Sequence, residues 1–393
     1  MSTETKIIRG ISYSIYTTII CCVICVVYAF LFRKGKRVTF GDLVITVSLV
    51  LISSLRYDVG TDYNRYIRSA ARVPELFSGF RSLFSYSTLQ QWSFEVGFES
   101  LSLIANRLSN SPYTIFWITS IIIYCPIVLY ARRYTSNACR SLSFFILFGF
   151  WGMSLNIIKQ FIAMVCMLFF WEALKKKSYV VCILLGVIAI VFHTSVIVVE
   201  ILLILVYSGI LQKVLKPTYF TLGIVVVVGI GLRISTWWMS RILSLSRLLS
   251  KYVNYTISDS MSRSFIMLNA LIEAVIVISL VYTAIKNRES LKEKDPYIDK
   301  VISLLMIGIV FNIVGISKTM WLSKRFAEYF YIFLLTVIPD LFEDRVKHNN
   351  KAFTLVLNRK AITFWGIMVV WHMLYSVLSL DNHGFRLQTY LFK

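Results

Sequence analysis

Apolar residues recur along this chain in long unbroken runs, not in the spaced stripe of a surface helix. "ISYSIYTTIICCVICVVYAFLF" (11–32) is followed by "GDLVITVSLVLISSL" (41–55), and similar runs continue towards the C-terminus. A stretch of about 20 apolar residues is what an α-helix needs to cross a bilayer. Lipid offers no partner to a bare peptide group, so these runs close their backbone hydrogen bonds internally as helices. The alternation of a transmembrane β-barrel is missing from the sequence. The pattern predicts an all-α polytopic membrane protein with about twelve transmembrane helices, range ten to fourteen. The predicted spans lie near 11–32, 39–55, 112–131, 141–155, 160–174, 178–192, 194–211, 218–235, 264–285, 300–317, 326–342 and 361–380.

Charge orients these spans. "RKGKR" (33–37), "ARRYTSNACR" (131–140), "KKK" (175–177), "KVLK" (213–216), "KNRESLKEKD" (286–295) and 343–360 all fall on one side if odd spans run inward. Short basic loops mark the cytoplasmic side. This arrangement requires "FEVGFESLSLIANRL" (94–108) not to cross, so it is expected to be a re-entrant or interfacial helix on the outer face. A second outer element is predicted in "WWMSRILSLSRLLSKYV" (237–253), where Arg241, Ser244, Arg247 and Lys251 share one helical face. Ile242, Leu245, Leu249 and Tyr252 share the other, as in a helix lying on a leaflet. Residues 1–393 thus read as one integral membrane domain, with outer-face loops at 56–111 and 236–263.

Composition agrees and excludes other classes. The 393 residues are 57% hydrophobic and 16% charged, with mean hydropathy +0.71. Soluble domains carry about a quarter charged residues. The first run is too long for a signal-peptide core and lacks a small-residue cleavage pattern, so it is expected to be a retained span. Seven cysteines lie in or beside apolar runs without metal-ligand spacing and read as small core hydrophobes, not as disulfides. No phosphate-binding glycine loop, HExxH motif or carboxylate cluster appears, so neither a metal nor a cofactor is expected. Net charge is +21, and about half of the Lys and Arg fall on the outer face. Some of these anchor at headgroups by snorkelling. The rest make an outer surface that attracts an anion, better a lipid-linked phosphate than nucleic acid.

Polar residues gather at the outer mouths. In "RYDVGTDYNRY" (56–66), Gly60 supplies a turn and Thr61 or Asp62 is expected to cap a helix running to about Val73. Arg65, Arg68 and Arg72 share a face of that helix, which reads equally as a solvated surface. In "LNIIKQFIA" (155–163), Asn156, Lys159 and Gln160 are expected on one helical face. A cation at that depth needs an anionic partner. His193, in "VFHTSVIVVE", sits at a span boundary and can accept a proton near neutral pH; Glu200 reads as a packing acid. In "SKTMWLSKRFAEYFY" (317–331), Lys318, Lys324 and Arg325 enter a span that carries Glu328 and Tyr329. An Arg there can fork onto phosphate oxygens, or anchor the interface beside Trp321.

"RYDVGTDYNRY", "FEVGFESL", "NIIKQFIA", "FHTS" and a late "KRFAEYFY" occur in that order. Together they resemble the EpsG family of Wzy-type polysaccharide polymerases, over about residues 40–340. The family usually has Arg where Lys159 stands, so the charge is kept but the bidentate fork is lost. The resemblance implies a GT-C-like, lipid-dependent glycosyltransferase of the bacterial cytoplasmic membrane, with its active site facing outward. It would join undecaprenyl-pyrophosphate-linked oligosaccharide repeats into O-antigen, capsule or exopolysaccharide, possessing no metal and working with a chain-length regulator protein. It implies function for Arg56, Gly60, Thr61, Asp62, Tyr63, Tyr66, Glu95, Asn156, Lys159, Gln160, His193 and Arg325. Fixed cations, with Lys159, Arg325 and Arg56 as candidates, would stabilise the departing pyrophosphate. His193, Asp62 and Glu95 are the candidate bases, and the tyrosines and Trp92 would offer flat faces to sugars. Two rivals remain: a flippase for the same lipid-linked glycan, expected to show internal repeats and broken helices, and a ligase differing only in acceptor.

Overall fold

The computed structural model describes residues 19–25, 27, 37–56, 62–77, 82, 96–234, 263–316, 321–341 and 359–379, and these are helical apart from turns and short connections. The chain forms two compact units. The first contains residues 1–169, 183–196 and 335–393, and the second contains residues 170–182 and 197–334.

In the first unit, helices α1 (Phe40–Ser54), α2 (Tyr63–Leu76), α3 (Val96–Leu108) and α4 (Thr114–Tyr134) pack in sequence: α1 on α4, α2 on α3, and α3 on α4. Thr39 and Asp42 start α1 with a reciprocal cap. The Asp42 N–H donates to Thr39 Oγ1 at 3.4 Å, and the Thr39 N–H donates to Asp42 Oδ2 at 2.7 Å. Arg132, in the last turn of α4, forks onto the same carboxylate with Nε and Nη2 at 2.7–2.9 Å. Both side chains are 2% exposed, so this is a buried bidentate pair tying the start of α1 to the end of α4.

The chain then bends twice. Helix α5 (Ala138–Leu147) and α6 (Phe150–Asn156) meet at 59°. Gly149 makes this bend with φ 108°, a conformation that costs other residues a clash at Cβ. The bend strips the Leu147 and Phe148 carbonyls of helical partners. His372 Nδ1–H and Trp371 Nε1–H replace them, at 3.2 and 3.3 Å, from α16 (Arg359–Ser379). The same device recurs at α15 (Leu334–Leu341). Pro339 cannot donate to the Leu335 carbonyl, and the Ser141 hydroxyl donates to it instead at 2.8 Å. Each replacement spares a buried carbonyl that would cost about 1–3 kcal/mol if left unmade.

Helix α7 (Ile158–Lys175) continues from α6, and α8 (Tyr179–Phe192) ends at His193. In the second unit, α9 (Val196–Tyr207), α10 (Tyr219–Ile234), α11 (Arg263–Lys286), α12 (Arg288–Lys294), α13 (Ile298–Gly315) and α14 (Trp321–Tyr331) are centred on α13, which packs against α10, α11, α12 and α14. Lys300 Nζ donates to the Tyr207 carbonyl at 2.6 Å and Ser303 to that of Leu215 at 2.7 Å, closing the chain ends around the turn at 211–213.

Among the described residues, helices α4, α11 and α13 are long and apolar enough to cross a membrane, or four spans with the bent α5–α6 pair. Five shorter apolar helices coincide with α1, α8, α9, α10 and α16. The protein is a membrane-embedded helical protein. Each predicted span from 39 to 380 is occupied by helix over its described residues, and two of them are not continuous. The 141–155 span is bent at Gly149 and the 326–342 span is interrupted at residues 332–333. The 94–108 segment becomes the 13-residue α3, which is not among the apolar helices. The predicted amphipathic helix at 237–253 lies outside the described residues.

Candidate functional site

The site of the first unit is built around the second break in the α5–α6–α7 run. Asn156 ends α6, Ile157 has ψ 53°, and α7 starts at Ile158. The expectation of one continuous face for Asn156, Lys159 and Gln160 is therefore corrected, because Ile157 separates two helices. The break frees the Ile158 N–H, which donates to the Tyr66 hydroxyl at 3.1 Å. Asn156 Oδ1 accepts from the Asp62 N–H, also at 3.1 Å. Two hydrogen bonds thus join the start of α2 to the broken helix.

Helix α2 is amphipathic for this purpose. Tyr63, Tyr66, Ala70 and Val73 are buried at spacings of three and four, while Arg65, Arg68 and Arg72 are exposed. The Tyr63 ring stacks on Phe116 at 5.0 Å, and the Tyr66 ring lies 5.0 Å from Phe98. Both tyrosine rings are covered, so the expected flat faces for sugars at Tyr63 and Tyr66 are instead spent on packing. The Tyr63 hydroxyl donates to the Arg56 carbonyl at 3.3 Å. Arg56 is buried, with its guanidinium 4.2 Å from the Phe116 ring centre and Nη1 donating to the Ser53 carbonyl at 3.1 Å. Asp62 occupies the N-cap position of α2 but makes no side-chain cap hydrogen bond, contrary to the expected capping role. Its half-buried carboxylate remains available among the described residues.

Lys159 meets its anionic partner in α3. Its ammonium lies 3.2 Å from Glu99 Oε1 and 5.3 Å from the Phe98 ring centre. The pair is asymmetric: the Lys159 side chain is 23% exposed, that of Glu99 only 3%. Lys159 is thus the partly exposed member of the pair and Glu99 the buried one. Gln160, next to it, is buried. Helix α3 is set against the end of α8 by Gly97, where a Cβ would come within 2.9 Å of the Phe192 ring. His193 follows Phe192 at the turn between α8 and α9. Its carbonyl accepts from the Val196 N–H at 3.1 Å, and its side chain is half-buried. Four of the five motif blocks therefore interlock in one unit: Tyr66 with Ile158, Asp62 with Asn156, Glu99 with Lys159, and Gly97 with Phe192.

The fifth block belongs to the second unit. Lys324 Nζ lies 2.8 Å from both Glu273 Oε2 and Glu328 Oε1. Asn312 Nδ2 donates to the other oxygen of Glu273 at 3.1 Å. Both carboxylates are 2% exposed, so Lys324, expected to bind substrate, is held here between two buried acids. Arg325, next on α14, is half-buried.

Comparison with known proteins now adds the family. A model of the EpsG family matches residues 39–391. The chain belongs to the EpsG family. EpsG-family members are Wzy-type polymerases, a glycosyltransferase-type group, and membership gives this chain a polysaccharide polymerase role. No curated protein and no solved structure matches the chain. The EpsG match spans all five motif blocks and both units.

Within this EpsG-family chain, sequence reasoning missed Glu99 as the partner of Lys159. Gly60, Thr61 and Glu95 lie outside the described residues. The signal for Glu99 was the positive charge of Lys159 within an apolar run, which demanded an acid without saying which. The Tyr66 hydroxyl has a checkable weight. Tyr66→Phe strands the buried Ile158 N–H and is expected to cost about 1–3 kcal/mol of stability, measured by thermal unfolding of the detergent-solubilised protein.

Proposed function

We propose that this chain is a Wzy-type polymerase of the bacterial cytoplasmic membrane. It joins undecaprenyl-pyrophosphate-linked oligosaccharide repeats on the outer face, with the GT-C-like architecture of lipid-dependent glycosyltransferases. The observation that carries the reading is Lys159, a partly exposed side chain anchored by the buried Glu99, beside a helix break that hydrogen bonds from Tyr66 and Asp62 tie to the start of α2.

The orientation is supported by the ends at which charge collects. Helix α4 ends in Arg132 and Arg133, α7 ends in Lys175, and Asp42 at the start of α1 joins Arg132. Arg56, Ile158 and His193 stand at the opposite ends of α1, α7 and α8. If the basic ends face the cytoplasm, the site faces outward, where flipped substrate waits.

In the reaction an acceptor hydroxyl attacks the anomeric carbon of the donor sugar. The new glycosidic C–O bond forms as the C–O bond to pyrophosphate breaks, and the electron pair leaves on the lipid pyrophosphate. Lys159 offsets the charge that grows on that leaving group, a preorganised electrostatic role. Asp62 takes the proton of the hydroxyl, its carboxylate not being used as a cap. His193 contacts the acceptor sugar at the neighbouring helix end. Tyr63, Tyr66, Asn156, Gln160 and the buried Arg56 hold the break in shape rather than touch substrate. In its own unit, Arg325 contacts a lipid phosphate at the membrane surface. A chain-length regulator protein in the same membrane is the partner this reading implies.

Glu99 acts through Lys159 and so has a positioning role. Glu99→Gln is expected to lower turnover by about 10²-fold, as misplacement of a charge by about 1 Å does, with a much smaller change in expression level. Unchanged turnover would separate Lys159 from its anchor.

One observation favours the flippase reading: the broken helices at Gly149 and Ile157 are features that transporters use to expose backbone to substrate. The test is therefore direct. Purified protein in vesicles, supplied with lipid-linked repeat units alone, is expected to yield products of two and more repeats. Transfer of repeats across the vesicle bilayer without any lengthening would establish the flippase.

A further inference from the structure

The cysteines of the first unit include a pair that the polymerase reading does not use. The helical residues 19–25 lie along α5 with two matching ridges: Cys21 and Cys25 on one side, Cys139 and Ser143 on the other, each pair four residues apart. The Cys139 thiol donates to Cys25 Sγ, with the sulfurs 3.4 Å apart. Cys25 Sγ is also 3.7 Å from Ser143 Oγ, and the Cys21 thiol lies 3.9 Å from the Ser143 carbonyl. Cys21 is buried, Cys25 is exposed on an apolar helix and Cys139 is half-buried. Elsewhere Cys182 donates to the Phe170 carbonyl, so Cys25 and Cys139 are set apart by the approach of their sulfurs. This contact departs from the expectation of seven inert core thiols.

We propose that Cys25 and Cys139 form a dithiol–disulfide couple that a lipid-soluble quinone oxidises. The covalent bond is about 2.05 Å long, so the sulfurs have roughly 1.4 Å left to close, a movement that side-chain rotation supplies. The chemistry balances: the two thiols give up two protons and two electrons, the S–S bond forms between Sγ atoms, and the quinone becomes a quinol. The oxidant class follows from location. Cys25 lies inside the apolar run 11–32, where a water-soluble oxidant is excluded and a quinone is not. The disulfide would staple the first apolar segment to α5, the helix that leads through Gly149 into α6 and Asn156. Until such a quinone accepts the electrons the pair remains as thiols, so the staple forms only under oxidation.

The test uses the full-length protein in lipid vesicles and a fully substituted ubiquinone analogue, which has no free ring carbon for thiol addition. After treatment, free thiols are alkylated, the protein is digested without reductant, and the peptides are weighed. The expected result is a peptide pair joining residues 25 and 139, removed by dithiothreitol. The existing contact should make this linkage at least about tenfold more abundant than any other pairing. In the Cys139→Ser protein, Cys25 should be recovered alkylated. Recovery of both cysteines alkylated in the unaltered protein, or Cys25 joined to any other cysteine, would overturn the proposal. This outcome is read by mass and is independent of polymer synthesis.

Discussion

Lys159→Met should lower polymer formation by about 10²–10³-fold, the loss seen when one preorganised group that stabilises transition-state charge is removed. The substitution keeps the length and apolar stem of the side chain and removes only the ammonium. That ammonium sits 3.2 Å from Glu99, and Lys159 is the more exposed side chain of the pair. The substitution also takes this countercharge from the buried Glu99 carboxylate, so some stability is lost too, and rates are compared at equal amounts of folded protein. Lys159→Arg restores the cation and adds a fork, so it should keep activity within about tenfold of the unaltered enzyme. Initial rates of lengthening on a lipid-linked repeat check both. Normal polymer from the Met protein would remove Lys159 from the mechanism, and loss of activity in the Arg protein would show that the site requires the smaller cation.

The second large effect is on folding. Arg132→Ala leaves the Asp42 carboxylate buried without its forked partner and is expected to destabilise by about 3–5 kcal/mol. The Thr39 hydrogen bonds stay, but they do not supply a countercharge. Replacing both partners by apolar residues of similar volume, as in Arg132→Met with Asp42→Leu, should recover most of that loss, since neither charge then remains buried. Thermal unfolding in one detergent compares the two. An Arg132→Ala protein as stable as the original would mean that the pair is not enclosed as the geometry shows.

Much of the helical framework was legible because apolar runs must be helical in lipid, and the basic loops bound them. The breaks were not. Gly149 stands in "LFGFWGM", where Gly152 is an equal candidate for a bend, and only Gly149 takes positive φ. Ile157 offers no signal, since isoleucine is as common in a continuous span as at a break. Its break is held open by Tyr66, about ninety residues earlier in the chain. Glu99 was not legible for a related reason: the sequence shows that Lys159 needs an acid, but the pairing is made across 60 residues and no local pattern points to it. That Lys324 meets two acids was not legible either: Glu328 lies one turn ahead in the sequence, but Glu273 comes from another helix. The short lengths of α8, α9 and α10, at 14, 12 and 16 residues, fall below the about 20 that a full crossing needs, and no apolar count distinguishes them from complete spans.

The most direct test of the central claim is the size profile of surface glycan from a strain lacking this gene. A polymerase leaves repeats that are made and exported but not joined. The expected profile is therefore a ladder collapsed to a single repeat unit, restored by the unaltered gene and not by Lys159→Met. Loss of all surface glycan, with lipid-linked repeats trapped inside the cell, would contradict a polymerase and identify the protein as the flippase.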